Sequence, residues 1–276
     1  MPKILRRLSI MLITAVISVY ALLLLTATQC DRLIFQPHPS SYSLRELQSG
    51  SIQAYSVDSS GAKIAAIYLP NPRARYTLLY SHGNGEDIGD DLPFLEEFRR
   101  AGFAVFAYDY EGYGESAGRP SERGLYRDVE AAYDFLTGNL KVRPETVIAH
   151  GHSLGAAAAI HLASVRPVAG LIADAPFVSA FRVVTRAQIL PWDKFNNART
   201  IQRVHCPVLV VHGRNDLVIP CWHGERIYKL ANAPKQCLWI ESCGHNDTML
   251  VAREQYIRAL QDFVRSIDTA QAKAAL

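Results

Sequence analysis

The sequence carries little net charge and no pattern typical of nucleic-acid binding. Its 276 residues include 29 Lys and Arg against 26 Asp and Glu, a formal net charge of only +3. No Lys/Arg stripe with interleaved aromatic residues occurs, so a nucleic-acid partner is not expected. Internal repeats and low-complexity tracts are also missing. With 49% hydrophobic residues, the chain is long enough for one globular α/β domain with a two-sided core.

Cysteine is scarce, and its spacing does not indicate a metal site. The chain has five cysteines, Cys30, Cys206, Cys221, Cys237 and Cys243. None of these spacings resembles a zinc site. Outside the cytoplasm, the four beyond Cys30 can form two disulfides. The alternative is that they are free, buried thiols.

A long stretch without charged residues lies at the N-terminus. Lys3, Arg6 and Arg7 come first, and residues 8–30 contain no charged side chain. A helix of about 20 apolar residues can cross the hydrocarbon layer of a membrane. Basic residues before such a span favour keeping that end in the cytoplasm. The remainder of the chain is then expected on the periplasmic or extracellular side.

The sequence thus predicts an uncleaved transmembrane signal anchor at residues 1–30 and a catalytic domain at residues 31–276. Two alternatives stay open. The apolar stretch can be cleaved as a signal peptide, which would release a secreted protein, or Cys30 can be lipidated.

Apolar strands and amphipathic helices alternate through the rest of the chain. Residues 51–72 have the alternation of a β-hairpin with a turn at 58–61. The later strands are predicted at 76–83, 103–110, 146–151, 168–176, 206–213 and 236–244, and the helices at 90–102, 121–139, 153–165, 221–232 and 249–267. This order predicts an α/β fold with a mostly parallel sheet, an N-terminal antiparallel hairpin and helices on both faces. Ligands of such sheets bind at the carboxyl ends of the strands.

Three loops at those carboxyl ends carry a serine, an aspartate and a histidine. Ser153 stands in "GHSLG", Asp216 in "GRND" and His245 in "CGHND". A serine hydroxyl is a weak nucleophile unless a base lies beside it. A histidine can take and return its proton, and a carboxylate can orient the histidine. We therefore predict Ser153 as the nucleophile, His245 as the base and Asp216 as the orienting acid.

The strand–G-x-S-x-G–helix pattern, with Asp and His later in the chain, resembles the α/β-hydrolase superfamily. The resemblance runs from about residue 33 to the C-terminus. It is nearest to small, lid-poor serine hydrolases, such as membrane-associated depalmitoylases and the catalytic domains of prolyl-oligopeptidase-like peptidases. The stretches "DYEGYGESAGRPSERGLYRDVEAAYDFL" and "CGHND" carry this nearer match. The resemblance implies an α/β-hydrolase fold and an acyl-enzyme mechanism.

The resemblance also implies further site residues. Two backbone N–H groups should form an oxyanion hole, one from Leu154 and one from Asn84 in "HGNG", with Gly83 as the alternative to Asn84. Asp174, at the end of the preceding strand, is the alternative to Asp216, because some members of the superfamily keep their acid there. The implied fold also suggests disulfides between Cys206 and Cys237 and between Cys221 and Cys243.

The segment 177–205, where this fold usually inserts a cap, is too short for a large lid domain. This segment contains five large apolar side chains, Phe177, Phe181, Leu190, Trp192 and Phe195. They could form an acyl-binding wall or simply pack against the core.

The predicted reaction is hydrolysis of carboxylic esters or thioesters with acyl or lipid-like substrates. The alternatives are a serine peptidase with the same triad and a catalytically silent binding protein. No metal or cofactor is expected, and the pair His150 and His152 in H-x-H is not interpreted as a metal site.

Overall fold

The computed structural model describes residues 3–28, 31–185, 192–232 and 234–274, which form two compact units, Met1–Gln36 and Pro37–Leu276. In the first unit, helix α1 covers Lys3–Thr28 and a short helix α2 covers Asp31–Ile34. The part of α1 from Lys3 to Leu25 contains an 18-residue window with a mean hydropathy of 2.6 and is long and apolar enough to cross a membrane. Cys30, the residue considered for lipidation, lies outside the described residues.

The second unit contains an eight-stranded sheet and helices on both of its faces. The strands are β1 Gln53–Ser59, β2 Ala62–Leu69, β3 Thr77–Ser81, β4 Ala104–Tyr108, β5 Val147–His152, β6 Gly170–Asp174, β7 Val208–Gly213 and β8 Lys235–Ile240. The helices are α3 Leu44–Leu47, α4 Ile88–Arg100, α5 Glu122–Gly138, α6 Leu154–Val165, α7 Ala180–Val184, α8 Asn197–Thr200, α9 Trp222–Leu230, α10 Thr248–Val251 and α11 Arg253–Ala274. Two 3₁₀ turns cover Pro144–Thr146 and Ile201–Arg203.

The sheet has the strand order β1-β2-β4-β3-β5-β6-β7-β8. β1 pairs with β2, and β2 with β4, in antiparallel fashion, whereas the strands from β3 to β8 run parallel. Every residue of β3, β4 and β6 is buried. Such strands need helices on both faces, because neither face is polar enough to meet water. The predicted mostly parallel sheet with an N-terminal hairpin is therefore confirmed.

The C-terminal helix differs from its prediction. One helix was expected over 249–267, but the chain forms α10 and then α11, with Ala252 between them at φ −130° and ψ 30°. The apolar spacing across Ala252 is helical on both sides, so the periodicity did not indicate this break. The consequence is that α10 is a separate short helix directly after the loop that carries His245.

The predicted disulfide pairings are wrong, because Cys206, Cys221, Cys237 and Cys243 are all free thiols. In the parallel register of β7 and β8, Cys237 is opposite Val210, four residues beyond Cys206. At about 3.3 Å per residue, this offset separates the two cysteines by more than a disulfide can span. Cys221 instead lies near Arg214, and Cys243 is completely buried.

Part of the proposed acyl-binding wall belongs to the core. Phe177 and Phe195 are buried, and their ring centroids lie 6.2 Å apart. Phe181 and Trp192 are half-buried, whereas Leu190 lies outside the described residues. Ordinary packing therefore accounts for Phe177 and Phe195.

Candidate active site

Ser153 stands on a sharp turn between β5 and α6. Its backbone adopts φ 52° and ψ −113°, a left-handed conformation that is strained for a residue with a side chain. A Cβ atom on Gly151 would overlap the backbone of Gly155, and one on Gly155 would overlap the backbone of Ser81. The two glycines of the motif thus let α6 start close to β5 and β3. This close approach holds the Ser153 side chain at the carboxyl edge of the sheet.

The three residues predicted to form the triad lie in one chain of hydrogen bonds. His245 Nε2 is 2.9 Å from Ser153 Oγ, and His245 Nδ1 is 2.7 Å from Asp216 Oδ2. Ser153 and Asp216 are buried, and the His245 side chain is 11% exposed. With Nδ1 donating to the carboxylate, Nε2 is free to accept the serine proton.

The Asp216 carboxylate is held ionised by its neighbours. Its Oδ1 accepts hydrogen bonds from the N–H groups of Val218 and Ile219, at 2.9 and 2.7 Å. Burial opposes ionisation of this carboxyl, but the hydrogen bonds from His212 and His245 outweigh burial and lower the pKa of Asp216 below its ordinary value. Asp216 is thereby kept as an acceptor for His245.

Asp174, the alternative acid, is directed elsewhere. Its Oδ2 accepts a hydrogen bond from the Tyr256 hydroxyl at 3.1 Å and lies 3.7 Å from His152 Nδ1. Its backbone carbonyl accepts the N–H of Ser153 at 2.9 Å. The Asp174 carboxylate therefore faces His152 and Tyr256, while Asp216 faces His245.

The loop after β3 carries Asn84 and Gly83, the two residues considered for one of the oxyanion donors. The N–H of Gly83, the alternative donor, is already engaged by Glu86 Oε2 at 2.8 Å. The Tyr113 hydroxyl donates to Asn84 Oδ1 at 2.6 Å. Leu154, the other expected donor, is the first residue of α6, where a backbone N–H has no partner inside the helix. With its N–H engaged by Glu86, Gly83 is the less suitable of the two predicted donors.

A small cavity of about 40 Å³ lies beside His245. Its walls include Glu86, Asp91, His152 and Asp174. Burial and the neighbouring Glu86 raise the pKa of Asp91 to about 8. Burial acts against the charged form of His152, but the hydrogen bond and charge of Asp174 outweigh it and raise the pKa of His152 to about 10. A positively charged imidazole is therefore held 5.2 Å, centroid to centroid, from the His245 ring.

Two further histidines contact the site and were given no role from the sequence. His212 Nε2 lies 3.2 Å from Asp216 Oδ2, and His152 Nε2 lies 3.3 Å from Asn246 Oδ1. A signal for His212 was present, because His-Gly follows an apolar run at 82–83, 150–151 and 212–213. All three of those histidines are buried at strand ends.

A separate cluster of possible metal ligands consists of His38, Asp87 and Asp90, whose ligand atoms lie within 4.8 Å of one another. Asp87 is the N-cap of α4 and accepts hydrogen bonds from the N–H groups of Gly89 and Asp90. His38 Nε2 is bonded to Asp90 Oδ2 at 2.9 Å. These atoms are occupied in capping the helix, and we assign no metal to them.

Comparison with known proteins gives consistent matches. A family model described as "Serine aminopeptidase, S33" matches residues 72–199. Human alpha/beta hydrolase domain-containing protein 17B is 38% identical over 210 residues, covering 75% of this chain and 72% of that protein. The Caenorhabditis elegans protein aho-3 is 39% identical over 201 residues, covering 71% of this chain and 59% of that protein.

Solved structures show the same fold. The esterase Pf2001 of Pyrococcus furiosus superposes with a TM-score of 0.71 at 18% identity, covering 84% of this chain and 98% of that one. Est1E of Butyrivibrio proteoclasticus, with ferulic acid bound, gives a TM-score of 0.65 at 18% identity, covering 78% and 100%. The sheet order, the turn at Ser153 and these matches define a hydrolase of the α/β-hydrolase superfamily.

The chain belongs to the family of alpha/beta hydrolase domain-containing proteins 17. The family model ends at residue 199, before Asp216 and His245.

Proposed function

We propose that this protein is a serine hydrolase that cleaves carboxylic ester or thioester bonds through an acyl-enzyme intermediate. The observation that carries the proposal is the hydrogen-bond chain from Ser153 Oγ to His245 Nε2, 2.9 Å, and from His245 Nδ1 to Asp216 Oδ2, 2.7 Å. These distances are those of a nucleophile with its base and of a base with its orienting acid.

In the first half-reaction, Ser153 Oγ attacks the substrate carbonyl carbon while His245 Nε2 takes the hydroxyl proton. The carbonyl oxygen becomes an oxyanion that accepts hydrogen bonds from the N–H groups of Leu154 and Asn84. The carbon–oxygen or carbon–sulfur bond then breaks, and His245 returns its proton to the departing alcohol or thiol. Asp216 stabilises the positive charge on His245 throughout.

In the second half-reaction, water replaces the alcohol or thiol. His245 removes a proton from the water, the resulting hydroxide attacks the acyl carbon, and Ser153 leaves with that proton. The acid is released and the enzyme returns to its starting state. Because all proton transfers use His245, the proposed reaction needs no metal or cofactor.

The apolar helix α1 supports a lipid-like or acylated substrate, since an enzyme anchored in a membrane meets such molecules there. We propose that residues 1–30 are an uncleaved anchor and that the catalytic domain, residues 31–276, lies on the non-cytoplasmic side. Lys3, Arg6 and Arg7 before the apolar stretch support this orientation. Protease protection in sealed vesicles tests it, and digestion of the domain only from the cytoplasmic face would reverse the assignment.

A serine peptidase with the same catalytic residues is the second candidate, because the matching family model is described as a serine aminopeptidase. A panel of acyl esters, acyl thioesters and aminoacyl amides separates the two. Faster turnover of esters and thioesters supports our proposal, whereas faster turnover of amides with a free amino terminus supports the peptidase.

A fluorophosphonate probe, which reacts with activated serines, tests the mechanism itself. We expect the full-length protein to be labelled and the Ser153→Ala variant to remain unlabelled. Ser179→Ala is the matched control, because Ser179 is also buried but donates to Asp193 instead of contacting a histidine. If the folded wild-type protein takes up no probe, the proposed mechanism is wrong, and the alternative of a catalytically silent binding protein is supported.

A further inference from the structure

Large aliphatic side chains are exposed mainly on one edge of the second compact unit. Among its described residues, six such side chains are exposed, and five follow the carboxyl ends of strands. We call these five the apolar rim: Val184 on α7, Leu217 and Val218 after β7, and Leu250 and Val251 on α10. The sixth, Val165, ends α6, which runs from the carboxyl edge back toward the opposite edge.

The apolar rim adjoins the candidate active site. Leu217 is 94% exposed and directly follows Asp216, and Leu250 is 76% exposed and lies five residues after His245. Clusters of exposed apolar side chains mark interaction surfaces, because each loses hydrophobic stabilisation while it faces water. The rim thus places an interaction surface beside the loops that carry Asp216 and His245.

Apolar surface continues from the rim toward His245. A shallow groove between α4 and α10 is lined by Leu92, Phe94, Met249 and Leu250, together with the charged side chains Glu96, Glu97, Arg100 and Arg253. Phe94 and Met249 also line the cavity beside His245. Phe94 and Met249 thus link the groove beside the rim to the surroundings of His245.

The short stretch of chain between α1 and the second compact unit indicates a membrane as the occupant of the rim. Eight residues, 29–36, separate α1 from the second compact unit. Even fully extended, they reach about 29 Å at most, which is less than the width of the unit itself. A membrane that holds α1 is therefore within reach of the unit. Trp222, over whose ring Arg182 lies at 5.5 Å, is of a residue type that is enriched at membrane interfaces.

We propose that the apolar rim is a lipid-docking surface that enters the interfacial layer of the membrane in which α1 is anchored. The loops that carry Asp216 and His245 then face the bilayer, and substrate reaches the site from the lipid rather than from the water. The proposed docking does not depend on catalysis. Only the statement that substrate arrives from the lipid rests on the proposed hydrolase function.

Fluorescence quenching tests the docking without any catalysis. Full-length Leu250→Trp and Val165→Trp variants are reconstituted in phosphatidylcholine vesicles with or without brominated acyl chains, and the wild-type tryptophan signal is subtracted. We expect strong quenching for Trp at position 250 and none above background at position 165. Equal quenching at the two positions, or none at 250, would overturn the proposal.

Hydrolysis rates of two substrates test whether docking lets substrate enter from the lipid. We expect Leu217→Ser and Leu250→Ser together to slow hydrolysis of a long-chain ester embedded in vesicles on the order of tenfold, because the lost burial weakens docking. Hydrolysis of a water-soluble acetate ester should stay unchanged, and Val165→Ser should alter neither rate. Equal slowing of both substrates would contradict lipid docking, whereas a wild-type protein that cleaves neither ester would contradict the proposed function instead.

Discussion

Gly155, in the first turn of α6, packs directly against the backbone carbonyl of Ser81 at the end of β3. The contact leaves no room for a Cβ atom, so the helix after Ser153 can lie this close to the sheet only with glycine at this position. The partner is backbone, which cannot rotate away as a side chain can. The position of Ser153 thus depends on a contact between two residues 74 positions apart in the sequence.

Replacing Gly155 with Ala should lower stability by about 1–3 kcal/mol or more, because the added methyl group must displace backbone. Gly138 at the end of α5 has open space around it and is the matched control. Gly138→Ala should be neutral or stabilising by up to about 1 kcal/mol. Thermal denaturation of both variants measures the difference, and equal melting temperatures would refute the packing argument.

Replacing Asp216 with Asn should lower kcat by about 10³–10⁴-fold, because the histidine loses the carboxylate that orients it and stabilises its charge. Asp174→Asn removes a carboxylate that faces His152 and Tyr256, so we expect a far smaller loss. Steady-state kinetics on a short-chain ester compare the two. A larger loss in Asp174→Asn would make Asp174 the acid of this enzyme.

The pair of His152 and Asp174 should make stability depend on pH. Because the folded state raises the pKa of His152 to about 10, the pair stabilises the fold fully below about pH 6.5, the ordinary histidine pKa. This contribution is lost as pH rises from about 6.5 to 10. Denaturant unfolding across that range should show the wild-type advantage over His152→Gln shrinking with pH, and a constant difference would refute the charge pair.

The four cysteines of the second compact unit should behave as free thiols. Without reductant, iodoacetamide should modify Cys237 in the folded protein, because it is exposed. Cys243 is buried and should react only after unfolding, and burial also raises the pKa of the Cys206 thiol to about 12. Dithiothreitol should leave the melting temperature unchanged. Peptide mapping would contradict this if it found Cys206 linked to Cys237.

Local patterns were sufficient for the order of the strands and for the helices α5 and α6, but not for the C-terminal helix. The residues of α5 and α6 were predicted to within one residue at each end, since their apolar spacing and flanking loops are clear. The break at Ala252 was missed, because the apolar spacing of α11 continues through it. The roles of His212 and His152 were missed for another reason. Their partners are other loops of the sheet edge, and no spacing along the chain indicates those contacts.

By itself, the sequence determined the order of strands and helices, the turn at Ser153 and the candidate residues Asp216 and His245. These features are local: they depend on apolar periodicity, on glycine and on the residues directly after each strand. The tertiary structure alone decided which groups meet. It brings Asp216 rather than Asp174 to His245, engages the N–H of Gly83, keeps the cysteines apart and gathers aliphatic side chains from three loops on one edge. The physical reason is that a parallel sheet places the carboxyl ends of distant strands side by side, and only the folded backbone sets their distances and directions.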